Sequence, residues 1–339
     1  MNDQRRFPWF SRKAASLASI AFVTLLVASC AGGDNAQTSG SGDSEDPVTI
    51  RVVTSVTQFY PFVAVQAHEE LGTWKDSGIN VEVISGTTPT LGQIMAGDQA
   101  DISLGYGATI ASNIVSGLDE TLVANNIGPW DQYVIAGTAS GVNSLEELQG
   151  KTFGITGNGS PGDYTMQLMA KQLGWAPDDY KATALGDVGT LFAALAAGQV
   201  DAVVWNADQA YKLEDNGIGK IVATTSDLIG PSNLEAFGVM DEFAEKHPEA
   251  VRIFFEKYYE MVEKMQADPK LYTDVIEGWG LDPAVAQKLG ENSLPLLSTD
   301  GVITEEELQG ISNSIPITIG KPDSEPPIIK YVYWKDFLK

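Results

Sequence analysis

One cysteine and two histidines stand among 339 residues. An intramolecular disulfide is therefore impossible, no cysteine cluster or H-E-x-x-H motif exists to hold zinc, and nucleophilic catalysis has only His68 and His247 as imidazole bases. Cationic residues are scarce too: 21 Lys and Arg face 45 Asp and Glu, a formal charge of −24. Such a surface repels phosphate backbones and anionic lipid, so nucleic acid is excluded as a partner. The N-terminal apolar run, Ala14 to Val27, covers 14 residues, whereas a membrane-spanning helix needs about 20. What is plentiful is apolar side chain: 43% of the chain is hydrophobic, which rules out wholesale disorder and suffices for two lobes with separate cores.

The N-terminus reads as an export signal. Arg5, Arg6, Arg12 and Lys13 form a basic head, the apolar run follows, and small residues precede Cys30. Val27-Ala28-Ser29-Cys30 resembles the lipobox of bacterial lipoproteins, in which the cysteine is diacylated and becomes the first mature residue; this also accounts for the odd thiol. Residues 1–29 are thus expected to be a signal peptide and Cys30 a lipid anchor. Cleavage would leave 17 basic and 44 acidic residues, about −27. Residues 30–47, with Ala31 to Asp46 carrying nothing apolar larger than alanine, read as a flexible tether spanning roughly 22 Å.

From Thr49 onward short apolar strands alternate with helical segments. Strands are predicted at Ile50 to Thr54, Val81 to Ile84, Ile102 to Leu104, Thr121 to Ala124 and Tyr133 to Ala136. A second set follows at Thr152 to Ile155, Ala182 to Leu185, Ala202 to Trp205 and Ile221 to Thr224. This is βα alternation, and hence an α/β protein with two mostly parallel sheets. An internal echo supports two halves: Leu91 to Ile102 recurs as Leu191 to Ala202, each a helix stopped by glycine, then an aspartate and a buried strand. Asp101 and Asp201 are expected to bond free backbone N–H groups at the strand entrances rather than to do chemistry. Farther on, Asp241 to Gln266, broken near His247-Pro248, carries Phe243, Val251, Phe254, Phe255, Tyr258 and Met261 at helical spacing, the pattern of core contacts. Helices over Pro283 to Leu289 and Thr304 to Ser312 precede a Pro-rich tail expected to pack on the first lobe.

Five stretches in order, Gly72 to Val83, Ala96 to Asp101, Ser144 to Thr152, Ala197 to Ala202 and Asp241 to Glu249, resemble landmarks of the substrate-binding proteins that feed nitrate, taurine, sulfonate and thiamine-pyrimidine ABC importers, the NMT1/THI5-like family. The resemblance covers nearly all of residues 48–339. It implies a two-lobe type II periplasmic binding protein fold with two hinge crossings, near Tyr133 to Thr138 and Asn233 to Met240. Lobe 1 would hold residues 48–134 and 237–339, the C-terminal helices included, and lobe 2 residues 135–236. It further implies a monomeric, extracytoplasmic, membrane-tethered protein with a small-molecule ligand and an ABC permease as partners, without cofactor or metal.

In open α/β sheets ligands gather where strand ends meet helix N-termini. That rule selects Phe59 and Tyr60 after the first strand, Thr87 and Thr88 after the second, and Tyr106 and Thr109 after the third. Trp130 and Asp131 adjoin the first crossing. The second half contributes Asn158, Ser160, Asp163, Asp187, Trp205, Asn206 and Asp208. Phe59, Tyr60, Tyr106, Trp130 and Trp205 form a candidate aromatic clamp, whereas Trp74, Trp175 and Trp279 are assigned to cores. No lysine or arginine lies in these loops, which disfavours a bidentate clamp on sulfonate or carboxylate. Asp131, Asp163, Asp187 and Asp208 do lie there. Each is compatible with a helix cap; together they favour a neutral or cationic ligand such as an amine or nitrogen heterocycle, with a small anion on backbone N–H groups as the alternative.

Enzymatic readings are weaker. Gly157-x-Gly159-x-x-Gly162 with Asp187 downstream matches a dinucleotide fingerprint, and an exported nucleotide-cofactor oxidoreductase is the rival it raises, but Pro161 falls inside the turn. His68 and His247 have polar neighbours and are expected to be solvated. Ser298 to Glu307 resembles the end of a calcium loop whose first position would be Leu296, so a turn at Asp300-Gly301 and a capping box from Thr304 to Glu307 are expected instead.

Overall fold

The computed structural model describes residues 47–56, 58–321 and 323–338. The expected signal peptide, Cys30 and all of the tether except Pro47 lie outside the described residues. Ten strands are β1 Val48–Thr54, β2 Ile79–Ser85, β3 Ile102–Tyr106, β4 Glu120–Ile127, β5 Gln132–Gly137, β6 Thr152–Ile155, β7 Lys181–Ala184, β8 Ala202–Asn206, β9 Gly219–Thr224 and β10 Glu235–Met240. Between them run helices α1 Val63–Leu71, α2 Leu91–Ala96, α3 Gly107–Val115, α4 Pro161–Gln172, α5 Val188–Ala196, α6 Ala207–Asp215 and α7 Ser226–Ile229. The C-terminal third contributes α8 Asp241–Lys246, α9 Pro248–Ala267, α10 Pro269–Gly278, α11 Pro283–Asn292, α12 Glu305–Thr318 and α13 Trp334–Phe337.

The strands form two sheets, ordered β2-β1-β3-β10-β4 and β7-β6-β8-β5-β9. In each, the strand arriving from the other half is inserted antiparallel: β10 between β3 and β4, and β5 between β8 and β9. The chain therefore crosses twice, through Gly128 to Asp131 and through Thr225 to Leu234, and the Gly128–Pro129 peptide is cis. Gln132 to Val134 pair within the second sheet, and Glu235 and Ala236 within the first, a few residues from the division drawn on sequence. The physical reason is that β5 and β10 are sheet strands over their whole length, so the connectors before them carry the crossings.

The echo has a structural meaning. Asp101 accepts from the Arg51 backbone N–H at 2.8 Å, and Asp201 accepts from the Thr152 backbone N–H at 2.8 Å, each pinning the entrance of a central strand. Strand β4 is buried along its length although it edges its sheet, because two stretches of the C-terminal third cover it: Tyr331 bridges Leu122, and Leu297 bridges Ile127. Helix α9 starts at Pro248, as the break predicted, and buries Phe254, Phe255 and Tyr258 against Phe237 of β10. His68, expected in solvent, is buried: its ring lies 4.2 Å from Trp74, with Nε2 2.8 Å from the Lys257 carbonyl oxygen. The polar neighbours in sequence hid an apolar surround supplied by α9. Trp74 is core, whereas Trp175 and Trp279 are half-buried at core edges.

Candidate functional site

The two crossings are tied together by polar bonds. Thr225 Oγ1 contacts the carbonyl oxygens of Trp130 and Gln132 at 3.1 and 2.8 Å, and the Gln132 backbone N–H reaches Thr225 Oγ1 at 3.1 Å. Gln132 Oε1 accepts from Trp130 Nε1 at 2.9 Å and from Thr165 of α4 at 3.2 Å, while its Nε2 donates to Asn206 Oδ1 at 3.0 Å. One buried amide thus joins the first crossing, α4 and the end of β8.

Through this junction runs a series of rings. Tyr106, at the end of β3, meets Trp130 edge-on at 5.5 Å, and Trp130 meets Tyr164 of α4 at 5.3 Å. The series passes from the first sheet's half, over the crossing, into the second. Beside it, Glu235 at the start of β10 is a buried carboxyl pushed well up by desolvation, and its Oε2 has no hydrogen-bond partner among the described residues. Tyr164 also borders a cavity of about 530 Å³ between α4, the second crossing and α12, lined by Leu168, Ile229, Pro231, Gln309 and Asn313. That volume is in the range of small-ligand sites.

A second cluster lies around Asp131. Phe59 and Tyr60 are held by the Tyr60–Phe62 turn, whose second residue is Pro61, with their rings 5.0 Å apart. The Tyr60 hydroxyl donates to Asp131 Oδ2 at 2.6 Å. Burial raises the Asp131 carboxyl above the usual carboxylate range, and the Tyr60 bond only partly opposes it. Asp208, in the first turn of α6, is pushed up to about 6, chiefly by burial and further by the like charge of Asp131. Its Oδ2 accepts from Gln209 at 2.9 Å, but its buried Oδ1 has no partner among the described residues. Among those residues, neither carboxylate has a lysine or arginine within salt-bridge distance. The Tyr133 and Tyr211 hydroxyls are 2.9 Å apart nearby.

Of the residues selected on sequence, Phe59, Tyr60, Tyr106, Trp130, Asp131, Asn206 and Asp208 are brought together around the first crossing. Thr109 is half-buried in the first turn of α3. Thr87 is exposed and bonds Thr90, with Thr88 half-buried beside it. Ser160 caps α4, and Asp163 accepts from Gly159 N–H at 2.7 Å. Asp187 caps α5, its carboxyl held low by Thr190. For these last two the capping role is the observed one. Asn158 is exposed in the same loop, and Trp205 stacks edge-on against Phe192 of its own half at 5.5 Å rather than on the rings at the crossing. Gly159 turns its open side to α12, where a Cβ would lie 2.6 Å from the Thr318 carbonyl oxygen, so the glycine-rich loop packs on protein where a fingerprint would leave room for a pyrophosphate. The calcium-like stretch is a turn at Gly301 followed by a capping box at Thr304 and Glu307. Among the described residues no group of three or more His, Cys, Asp or Glu is placed to hold a metal.

Sequence reasoning missed Tyr164, Tyr211, Tyr272, Ser293 and Glu235. Tyr164 and Tyr211 are the fourth and fifth residues of helices that follow selected loops, and carrying the strand-end rule just past the first turn reaches them. Tyr272 and Ser293 come from the C-terminal helices, where no local signal marks them.

Two α/β halves, each completed by an antiparallel strand from the other and joined by two crossings with rings and carboxyls gathered between them, define the bilobal fold of periplasmic binding proteins. The chain belongs to the NMT1/THI5-like family, whose model matches residues 58–271. No curated protein matches the sequence. Among solved structures, the periplasmic aliphatic sulphonate binding protein SsuA from Escherichia coli superposes with a TM-score of 0.70 at 14% identity, over 84% of this chain and 90% of that one. The alkanesulfonate-binding protein SsuA from Xanthomonas axonopodis pv. citri, bound to MOPS, gives 0.67 at 14% identity over 84% and 97%. The zinc-bound ligand binding component of an ABC-type import system from Staphylococcus aureus gives 0.68 at 17% identity over 86% and 96%.

Proposed function

We propose that this chain is an extracytoplasmic solute-binding lipoprotein, monomeric and held to the cell membrane through Cys30, that captures a small organic ligand between its lobes and delivers it to an ABC import permease. Family membership, the bilobal fold and the resemblance of the N-terminal sequence to a lipoprotein signal support that role. No chemistry is performed on the ligand. Binding energy goes into lobe closure, because a solute touching both halves favours the state in which they meet. The observation that carries the reading is the convergence at the crossing: rings from both lobes, Tyr106, Trp130 and Tyr164, and, starting from the next residue after Trp130, the carboxyls Asp131 and Asp208, which have no basic partner among the described residues. This favours a neutral or cationic ligand, an amine or nitrogen heterocycle. A sulfonate is the second reading, because two of the structures it resembles are sulfonate-binding proteins.

The test is a melting screen of amines, nitrogen heterocycles, sulfonates and thiamine or flavin precursors. A ligand at a hundredfold its Kd stabilises by about 2.7 kcal/mol. Stabilisation by an amine or heterocycle, lost in Trp130→Ala, is expected. A sulfonate as the only hit transfers the assignment to the second reading, and a screen without hits rejects ligand capture.

A further inference from the structure

We infer that Asp131, Asp208, Tyr272 and Ser293 form a subsite for a primary ammonium group, with Tyr272 and Ser293 setting specificity for it; this rests on the solute-binding reading above. Three buried oxygens carry the inference. Asp208 Oδ1 and Tyr272 Oη have no hydrogen-bond partner among the described residues, Ser293 Oγ has none beyond the Asp131 carboxyl it faces, and Tyr272 and Ser293 are wholly buried. All three share one neighbourhood. The Tyr272 hydroxyl feels the charges of both Asp131 and Asp208, and Ser293 lies against Asp131. Leaving such groups unpaired is costly, and two adjacent carboxyls without a cation are costlier still.

An R–NH3⁺ group answers each defect. It brings three N–H donors and no acceptor, fitting acceptor-rich surroundings, and its charge relieves the repulsion between the two acids. It also bridges the lobes, because Tyr272 and Ser293 belong to the C-terminal helical region beside the first sheet, Asp208 opens α6 beside the second, and Asp131 ends the first crossing. Tyr272 and Ser293 follow residue 271, the last that the family model matches.

Methylammonium is the minimal probe, with millimolar affinity expected of so small a ligand. In the full mature chain at pH 8 and constant ionic strength, it should raise the melting temperature saturably. Methanol, sodium and potassium should not. Asp208→Asn should abolish the effect, and Tyr272→Phe and Ser293→Ala should each weaken apparent affinity about tenfold, with far-UV spectra confirming that every variant is folded. Absence of a saturable shift in the unmodified chain, an equal shift in Asp208→Asn, or the same shift with sodium or potassium overturns the ammonium subsite. If the ammonium test fails while the ligand screen gives a Trp130-dependent hit, only the subsite falls; if both fail, solute binding falls with it.

Discussion

Lys288 of α11 and Asp215 of α6 form an ion pair 2.5 Å long between helices that flank different sheets, and the same ammonium sits 5.5 Å from the centre of the Tyr211 ring. Both partners are about one-third exposed or more, 34% and 40%, so the pair contributes no more than about 1 kcal/mol to folding. Its larger effect falls on lobe orientation. Lys288→Met should enlarge the ligand-free radius of gyration in low-salt X-ray scattering while leaving the melting temperature nearly unchanged. High salt should enlarge the unsubstituted protein in the same way. An unchanged radius in both cases removes Lys288 as a latch.

On the other flank, Gly159 has φ +77°, and a Cβ there would lie 2.6 Å from a backbone oxygen of α12, whereas a Cβ at Gly157 meets nothing within 4 Å. Gly159→Ala should therefore cost about 1–3 kcal/mol in urea unfolding and weaken ligand binding as the loop leaves α12. Gly157→Ala should be close to neutral. Equal losses at both positions would mean that loop flexibility, not the approach to Thr318, sets the cost.

Glu120 is buried at the start of β4, bonded by Ser103 and lying where a side chain at Gly238 would otherwise project, with its pKa raised to about 7 chiefly by desolvation. A carboxyl with a raised folded-state pKa binds its proton more tightly when folded. Its contribution is present below about 4.5, the unfolded value, and is lost as pH rises through about 7. Glu120→Gln should be more stable than the parent at pH 8 by about 1–3 kcal/mol and level with it near pH 4. Parallel stability–pH curves for the two proteins would contradict this.

His68 works in the opposite sense. Burial lowers its pKa, so the folded state holds the ring neutral, with Nε2–H donating to the Lys257 carbonyl. Stability from this group is complete above the ordinary histidine pKa and is lost as pH falls below it. His68→Gln should flatten the acid limb of the stability curve between pH 7 and 5, followed by chemical denaturation at each pH. A limb of unchanged slope would assign acid sensitivity to other groups.

Much of the architecture was legible because it rests on short-range physics. Alternating apolar runs marked β1 to β9 to within a few residues, and the capping box at Thr304 and the break at Pro248 were readable from neighbouring residues alone. The repeated turns, Gly97 to Asp101 and Gly198 to Asp201, told of two similar halves, and their aspartates pin strands as expected. At the candidate site, the strand-end rule reached Tyr60, Trp130, Asp131 and Asp208, since backbone direction and helix position suffice to choose them. It also chose Asp163 and Asp187, which satisfy their own helix ends. A carboxylate three residues from a free N–H looks the same on paper whether it caps or binds.

Composition and local pattern, by themselves, decided that this chain is an acidic, two-halved α/β protein, because charge, periodicity and turn chemistry act over a few residues. Which carboxyls are left facing one another, and that Tyr272 and Ser293 join Asp131 from more than 140 positions away, was settled only by tertiary packing. Desolvation depends on what closes over a group, and for Asp131 the cover comes from helices that its own stretch of chain does not encode.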